Sequence, residues 1–298
     1  MKKLSIKQQL SLTAVAMGLL LLLEFYVLRH DIVQRVRTHE YQQLNDFAEH
    51  LDEKFKDSMN MLSNVGLNMG LSKLETPQKL EALLQREHAL LTVYDDLYIF
   101  DAKGMLLVDW PIKPGRRMLD MSSRDYIQGV INTHDTVISA PLLGKATQQP
   151  IVVVAAPIID ENNQLVGIIG GVLHLYNPNL LGSIATKKNG QTGYFYLVTQ
   201  NRIHIAHPDP SLILKPAVPG STDTPFEEAM QGFEGTIEGR NNHGLQGLFT
   251  FKKLASSGWI IASVIPAEEA FAPIRDLFLQ MIIVTVLLML TILPLFWN

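Results

Sequence analysis

The fold is decided by the stretch Pro150-Ile-Val-Val-Val-Ala-Ala-Pro157, then Asp160-Glu-Asn-Asn163, then Leu165-Val-Gly-Ile-Ile-Gly-Gly-Val-Leu-His-Leu175. The two apolar runs are short and rich in β-branched residues, and four polar residues that favour turns separate them. This pattern predicts a buried antiparallel hairpin at the centre of a sheet.

A second hairpin is predicted upstream, from Tyr98 to Pro111, with Asp101-Ala-Lys-Gly104 as its turn. Between the two hairpins, an irregular polar stretch contains Arg124-Asp-Tyr-Ile127. A sheet crossed by a long polar loop often holds a small-molecule site. The expected strands of this distal module are 95–101, 104–110, 137–143, 149–159 and 164–175.

The downstream sequence repeats this plan. Tyr196 to Pro208 is again an aromatic-led strand, a polar turn and a strand that ends before proline. Leu248–Lys253 and Trp259–Pro266 repeat the final hairpin. An offset of about 97 residues indicates a tandem duplication. We therefore expect a distal module at 75–178 and a proximal module at 179–273.

Residues 29–74 are predicted to form one long stalk helix, because they lack proline and carry apolar residues in steps of four and three. Such a seam either packs on the helix's own modules or pairs with a second copy in a homodimer, and the two are compatible. A further helix is expected from Pro77 to Leu91. The seam consists of Leu44, Ala48, Leu51, Phe55, Ser58, Leu62, Val65 and Met69.

Two apolar runs of about 20 residues, the length of a transmembrane helix, flank the modules at 10–28 and 277–297. A cleaved signal peptide is the alternative for the first run, but that run is long and no small-x-small cleavage site follows it. We expect two spans in contact with membrane lipid and a cytoplasmic segment at 1–9.

Composition excludes several classes of function. The 298 residues carry a net charge of −4 and no basic block, so nucleic-acid binding is not expected. The absence of cysteine excludes disulfides and thiolate chemistry.

Catalytic and metal motifs are also missing from the sequence. No Ser-His-Asp spacing, phosphate-binding Gly-rich loop or helical His-Glu-x-x-His occurs. His204 and His207 are predicted to face opposite sides of a strand and so not to share a metal ion. We expect no catalytic site, metal or cofactor in this chain.

Three segments carry a resemblance to a known family: Gly193 to Pro208, Gly258 to Pro273, and Ala156-Pro-Ile-Ile-Asp160 with the glycines between Gly167 and Gly171. With the order of elements, they resemble the double-Cache sensor domains of bacterial transmembrane receptors. The resemblance implies an α+β fold of two PAS-like antiparallel-sheet modules after a long N-terminal helix, flanked by transmembrane helices.

The resemblance also implies a function. Such domains bind a small molecule in the distal module and pass a helix displacement to a cytoplasmic output. The style is most similar to receptors that are diguanylate cyclases making cyclic-di-GMP, with histidine kinases and chemoreceptors as alternatives. We expect the output domain to lie outside this chain. Residues 29–276 would then be periplasmic, at the bacterial inner membrane.

Amino-acid sensors of this family carry Arg-x-Trp-Tyr and a late Asp, and this chain matches only in part. Arg124 matches the arginine, Tyr126 replaces Trp, and His174 stands where Asp is expected. Without that carboxylate, no negative charge is expected to pair with a ligand's ammonium group. The resemblance with this departure favours a carboxylate or another small anion as ligand.

The candidate ligand-binding residues each have a structural alternative. Arg124 would clamp the anion, or else pair with Asp120 or Asp125. The two aromatic candidates would wall the pocket or pack in the core, and His174 would face the ligand or be a core histidine. The candidates are Arg124, Tyr126, Trp110, His174, Asp109 and His134.

Two other functions remain open. The chain could anchor a module that binds a periplasmic protein, or, less in keeping with its motifs, form an extracellular enzyme. A second ligand site could lie in the proximal module, although its loop from Pro216 to Pro225 is poor in polar groups.

Overall fold

The computed structural model describes residues 6–69, 76–217, 224–242 and 244–295. Its first element, helix α1, extends from Ile6 to Asn68, which is 63 residues and about 95 Å of helix. The helix is longer than the predicted stalk because the first apolar run continues into it without a break. Two antiparallel sheets follow it along the chain.

The predicted seam of α1 faces the chain's own modules. Six of its members are at most 3% exposed, and the five apolar ones belong with residues of both sheets to one continuous core. The interpretation in which the helix lies on its own modules is therefore confirmed, and pairing with a second copy stays a prediction. The six are Leu44, Ala48, Leu51, Phe55, Ser58 and Leu62.

The distal sheet has the strand order β2-β1-β6-β5-β3, with β4 also paired to β5, and every pairing is antiparallel. The central hairpin is confirmed, with β5 and β6 in register from Ile151 opposite His174 to Ile158 opposite Gly167. The elements of the distal module are α2 (Pro77–Arg86), α3 (His88–Leu91), β1 (Asp96–Asp101), β2 (Leu106–Trp110), α4 (Asp125–Thr133), β3 (Val137–Ile138), β4 (Leu142–Leu143), β5 (Pro150–Ile159) and β6 (Leu165–His174).

Two predicted elements of the distal module are divided. The strand expected at 137–143 becomes β3 and β4, because Pro141 has no N–H to donate and the Ser139 hydroxyl accepts from the backbone N–H of Val153. The helix expected from Pro77 to Leu91 divides at Glu87, whose ψ of 56° is not helical.

The proximal sheet has the order β10-β11-β12-β8-β7, with β9 also paired to β8. A short 3₁₀ turn at Gly182–Thr186 precedes its first strand, and a second at Pro210–Leu212 lies between its third strand and the next helix. Its elements are β7 (Lys188–Asn189), β8 (Gly193–Val198), β9 (His204–Ala206), α5 (Pro225–Met230), β10 (Gly235–Arg240), β11 (Gln246–Lys253), β12 (Ile260–Pro266), α6 (Ala267–Ala270) and α7 (Ala272–Leu295).

The two sheets share one topology, which supports the predicted duplication. In each module the first long strand pairs with the last strand, β1 with β6 and β8 with β12. The leading tyrosine of each module also faces a small residue across that pair: Tyr98 is opposite Gly170, and Tyr196 is opposite Ala262. Each small partner leaves room on the face of the sheet that carries the tyrosine.

Helix α1 is fastened to the proximal module by polar contacts and to α7 by aromatic ones. The Asp52 carboxylate accepts hydrogen bonds from the Ser256 hydroxyl at 2.6 Å and the Ser256 backbone N–H at 3.0 Å. Near the opposite end of the helix, the rings of Phe25 and Phe278 lie 4.5 Å apart. The same helix therefore contacts both sheets and the last helix.

The first predicted span falls on helical backbone at the start of α1, and the second does so within α7 as far as Leu295, where the described residues end. Among the residues that are described, however, no helix combines the length and the hydropathy that a bilayer crossing requires. Many side chains of the two runs, at 10–17, 19–22 and 288–297, lie outside the described residues.

A substitution at Gly66 tests the packing of α1 on the distal sheet. A Cβ at this position would lie 2.6 Å from the carbonyl oxygen of Pro157 and 3.2 Å from Cγ2 of Ile169. Gly66→Ala should therefore destabilise the protein by about 1–3 kcal/mol, because the backbone oxygen cannot move aside cheaply. Helix propensity alone predicts a gain of about 1 kcal/mol.

Urea unfolding of the two proteins measures this difference. Asn64→Ala is the matched control, since Asn64 is exposed in the same part of α1. This control should be neutral or slightly stabilising. A stabilised Gly66→Ala protein would show that the helix is not in close contact with the sheet.

Candidate functional site

A small cavity of about 20 Å³ lies on the face of the distal sheet that α4 covers. Three of its lining side chains are cationic: Arg116, Arg124 and Lys145. Among the described lining residues none is acidic. The other lining residues are Tyr98, Leu106, Leu119, Met121, Tyr126, Leu142, Gly144, Ala146, Thr147 and Ile151.

Arg116 is held at this cavity by a buried ionic cluster. It is 2% exposed, its Nη2 donates to Oδ2 of Asp96 at 2.7 Å, and its guanidinium lies 5.2 Å from the ring centre of Tyr98. Its other terminal nitrogen, Nη1, has no hydrogen-bond partner in the described part of the chain and lies 3.8 Å from Asp109 Oδ2. This nitrogen is fully buried, so it would donate to an anion only after the cavity opens.

Asp96 is the centre of that cluster. It is 1% exposed, with Nε2 of His174 at 2.7 Å from Oδ2 and Nζ of Lys113 at 3.3 Å from Oδ1. Burial by itself would raise the pKa of Asp96. The hydrogen bonds from His174 and Arg116 and the charges of Arg116 and Lys113 outweigh it and hold that pKa well below its usual range. Asp96 is therefore ionised and partnered.

A second buried carboxylate extends the cluster away from the cavity. Asp109 accepts from the backbone N–H of Lys113 at 2.8 Å and from Nε of Arg117 at 3.1 Å. Arg117 also donates to Glu81 of α2 at 2.7 Å. The loop after β2 is thus tied to both the sheet and α2, and this places Arg116 at the cavity.

Arg124 and Lys145 approach the cavity from the other side. Nη2 of Arg124 donates to the carbonyl of Leu143 at 3.2 Å, and Nζ of Lys145 donates to the carbonyl of Asp120 at 2.8 Å. Over the described residues, Arg124 forms no ion pair with Asp120 or Asp125. Both cations therefore donate to neutral carbonyl groups, and the charge of Lys145 also acts on the nearby Asp120 carboxylate.

The structure brings only two of the predicted site residues together. Arg124 and Tyr126 both line the distal cavity, and burial raises the pKa of Tyr126 to about 12, so its hydroxyl stays protonated. The other four predicted residues lie elsewhere. They are Trp110, His174, Asp109 and His134.

Each of these four has a structural reason for its position. His174 is a buried core histidine on Asp96, and Asp109 holds the loop that follows β2. Trp110 ends β2 and lines a separate open groove with Tyr94 and Asp95. The fourth, the histidine at 134, is exposed with φ of 57° at the end of α4.

Sequence reasoning missed Arg116, Lys145 and Tyr98 at the cavity. Tyr98 had a signal, because it leads the first strand and has a counterpart in the repeat. Arg116 and Lys145 had none, since each is one of many cations in polar loops. Only the folded chain shows which cation is buried.

A larger cavity of about 190 Å³ lies in the proximal module. Four of its rings pack together, with Tyr196 at 6.0 Å from His204 and His204 at 5.3 Å from His207 between ring centres. Its lining over the described residues is Tyr194, Tyr196, His204, His207, Leu212, Pro216, Ala217, Thr224, Pro225, Phe226, Asn241, Asn242, Phe249 and Val264.

The expectation that His204 and His207 face opposite sides is wrong. Strand β9 ends at Ala206, so the alternation of a strand does not extend to His207, and both rings line the same cavity. Among the described residues, no group of three or more His, Cys, Asp or Glu side chains could hold a metal ion.

The buried cluster can be tested through its central carboxylate. Asp96→Asn removes the carboxylate that Arg116, Lys113 and His174 share, and should cost about 3–5 kcal/mol of unfolding free energy at pH 7. Because the folded pKa is lowered, the contribution of Asp96 is full above about pH 4 and is lost as the pH falls further. The difference between the two proteins should therefore shrink at pH 3.

Urea unfolding at pH 7 and pH 3 measures both effects. Glu161→Gln is the matched control, since this carboxylate is exposed in the turn between β5 and β6. A loss equal at both pH values would show that the charge of Asp96 is not what stabilises the cluster.

Known proteins similar to this chain are chemotaxis receptors. It is 22% identical over 287 residues to the methyl-accepting chemotaxis protein McpG of Pseudomonas putida, covering 92% of this chain and 43% of McpG. It is 21% identical over 290 residues to PscA of Pseudomonas syringae, another such protein, covering 93% of this chain and 43% of PscA. The chain therefore spans less than half the length of these relatives.

Solved structures of receptor domains share the fold. The ligand-binding domain of the Pseudomonas fluorescens chemoreceptor CtaA, in complex with L-isoleucine, matches with a TM-score of 0.62 at 20% identity, over 82% of this chain and 98% of that one. The domain of the Pseudomonas aeruginosa amino-acid chemoreceptor PctB, with L-Arg, matches with a TM-score of 0.62 at 18% identity, over 81% and 91%.

The strongest assignment comes from the family comparison, which covers most of the chain. The sequence model of dCache_1, described as a Cache domain, matches residues 28–274. This range takes in most of α1, both sheets and the start of α7. The chain belongs to the dCache_1 family of Cache domains.

Proposed function

We propose that this chain is the periplasmic sensing region of a bacterial chemotaxis receptor, and that its distal cavity binds a small carboxylate or another small anion. The observation that carries the proposal is the lining of that cavity, with three cations, no acid among the described residues, and an Arg116 nitrogen without a hydrogen-bond partner there. Arginine pairs favourably with carboxylates through parallel N–H bonds.

The output is proposed as chemotaxis rather than cyclic-di-GMP synthesis. The relatives that match 92% and 93% of this chain are methyl-accepting chemotaxis proteins, and neither of them is a diguanylate cyclase. The chemoreceptor alternative is therefore favoured over the diguanylate cyclase that the style of the sequence suggested. The output would belong to a part of the receptor beyond this chain.

An acid without an amino group is the preferred ligand class. The related chemoreceptor domains are solved with amino acids, among them L-isoleucine and L-Arg. In this chain the nearest buried carboxylates, Asp96 and Asp109, are already paired with Arg116 and Arg117. An ammonium group would find no unpaired carboxylate among the described lining residues, so an amino acid would bind less well than the corresponding plain acid.

Binding requires the distal cavity to enlarge. A volume of about 20 Å³ holds little more than one water molecule. A ligand would therefore select a more open arrangement of α4 and the loop that carries Lys145, and shift the population towards it. Ile151 of β5 lines the cavity, and β5 also packs against α1. Movement of this strand would be passed to α1.

The signal would then travel along α1 and α7 towards the membrane. The Phe25–Phe278 contact joins the two helices within the runs predicted to enter the inner membrane, near the periplasmic end of each run. Anchoring by 10–28 and 277–297, contact with lipid, and pairing of α1 in a homodimer are parts of this proposal.

A pair of ligands that differ by one ammonium group tests the proposal. Butyrate should raise the melting temperature of the full chain more than γ-aminobutyrate does, because the cavity offers cations and no unpaired acid. Arg124→Ala should weaken butyrate binding about tenfold, as expected for loss of a charge-assisted pair. Calorimetric titration measures both.

Arg86→Ala is the control, since Arg86 is an exposed arginine at the end of α2. It should bind butyrate as the unmodified protein does. Preference for γ-aminobutyrate, or unchanged butyrate binding in Arg124→Ala, would contradict the proposed site. Absence of any small-acid binding would favour a periplasmic protein as the partner.

A further inference from the structure

The proximal cavity occupies the same place in its module as the distal cavity. Tyr98 and Leu106 line the distal cavity, and Tyr196 and His204 line the proximal one. Leu106 pairs with the residue two positions after Tyr98, and His204 pairs with the residue two positions after Tyr196. The duplicated fold therefore presents the same pocket twice.

The proximal cavity is the roomier of the two and is lined differently. Its volume is about 190 Å³ against about 20 Å³ in the distal module. An apolar protein cavity of about 150 Å³ is enough for benzene. Walls of tyrosine, phenylalanine, proline and leucine suit a planar ring.

Two buried polar atoms at this cavity have no hydrogen-bond partner among the described residues. They are Nδ1 of His204 and Oγ1 of Thr224, in side chains that are 8% and 6% exposed. A buried polar group without a partner is destabilising, because it has lost its hydrogen bonds to water and has gained none in the protein. Both residues line the cavity, but neither atom is open to it as the side chains stand, so a rotation of the side chain is needed to turn each atom towards a bound molecule.

The cavity also has no permanently charged side chain in its described lining. None of the described lining residues is Asp, Glu, Lys or Arg. Burial, with the nearby His207, lowers the pKa of His204 to about 4, so this ring is neutral at pH 7. An anion of the kind suited to the distal cavity would lose its hydration here and gain no countercharge.

We propose that the proximal cavity is a second ligand site, which takes a small uncharged molecule with one planar ring and a hydroxyl group. The ring packs among the aromatic walls, and the hydroxyl hydrogen-bonds to His204 and Thr224. This site is separate from the distal one and does not depend on what the distal cavity binds.

Three probes of similar size test the chemistry of the site. Phenol should bind the full chain more tightly than toluene, which lacks the hydroxyl, and benzoate should bind more weakly than phenol at the same site, because it is charged. Saturation-transfer NMR and calorimetric titration measure the three affinities. Equal binding of phenol and toluene, preference for benzoate, or no phenol binding would overturn the proposal.

Two variants test the location of the site. His204→Leu, which places there the residue found at 106, and Thr224→Val, which keeps the shape, should each weaken phenol binding by about five- to tenfold. His88→Leu, at an exposed histidine of α3, is the control and should leave binding unchanged.

Melting temperatures without ligand separate folding from binding. If His204→Leu does not fold, Thr224→Val decides the question, because valine replaces only the hydroxyl. Phenol binding that persists unchanged in the folded variants would overturn the assignment to this cavity.

Discussion

The buried face of α1 is the constraint on which the rest of the structure depends. Leu44, Leu51, Phe55 and Leu62 belong to one core with residues of both sheets, so neither module is complete without the helix. Burial of side chains of this size contributes about 1.5–3 kcal/mol each. The two sheets are hydrogen-bonded within themselves, and α1 supplies an apolar surface that both of them share. A shift of the core residues in either sheet therefore changes the packing of the same helix.

The duplicated modules have diverged in charge rather than in topology. In the distal copy, Asp96 holds Arg116 beside Tyr98. These charged groups can be buried because each carboxylate oxygen of Asp96 and Asp109 has a cationic or N–H partner. In the proximal copy, the corresponding face carries tyrosine and neutral histidine. One fold thereby presents one cavity lined by three cations and another whose described lining has no Asp, Glu, Lys or Arg.

Much of the fold follows from periodicity, and most of the site does not. The hairpin from Pro150 and the seam of α1 repeat at the spacing of strand and helix, so local sequence specifies them. The position of Arg116 depends on contacts with Asp96, twenty residues away, and those contacts exist only after β1 and β2 pair. Likewise, His204 and His207 share a cavity because β9 ends between them, and residue spacing does not reveal where a strand ends.

The length of α1 places its contact with the distal sheet at Gly66 far from its contact with α7. Gly66 lies against the distal sheet, and Phe25, 41 residues earlier in the same helix, meets Phe278 of α7. With a rise of 1.5 Å per residue, a tilt of about 2° around Gly66 would move Phe25 sideways by about 2 Å. Because α1 packs on both modules between these two points, such a tilt requires its core contacts to shift together, and the displacement grows with distance from Gly66.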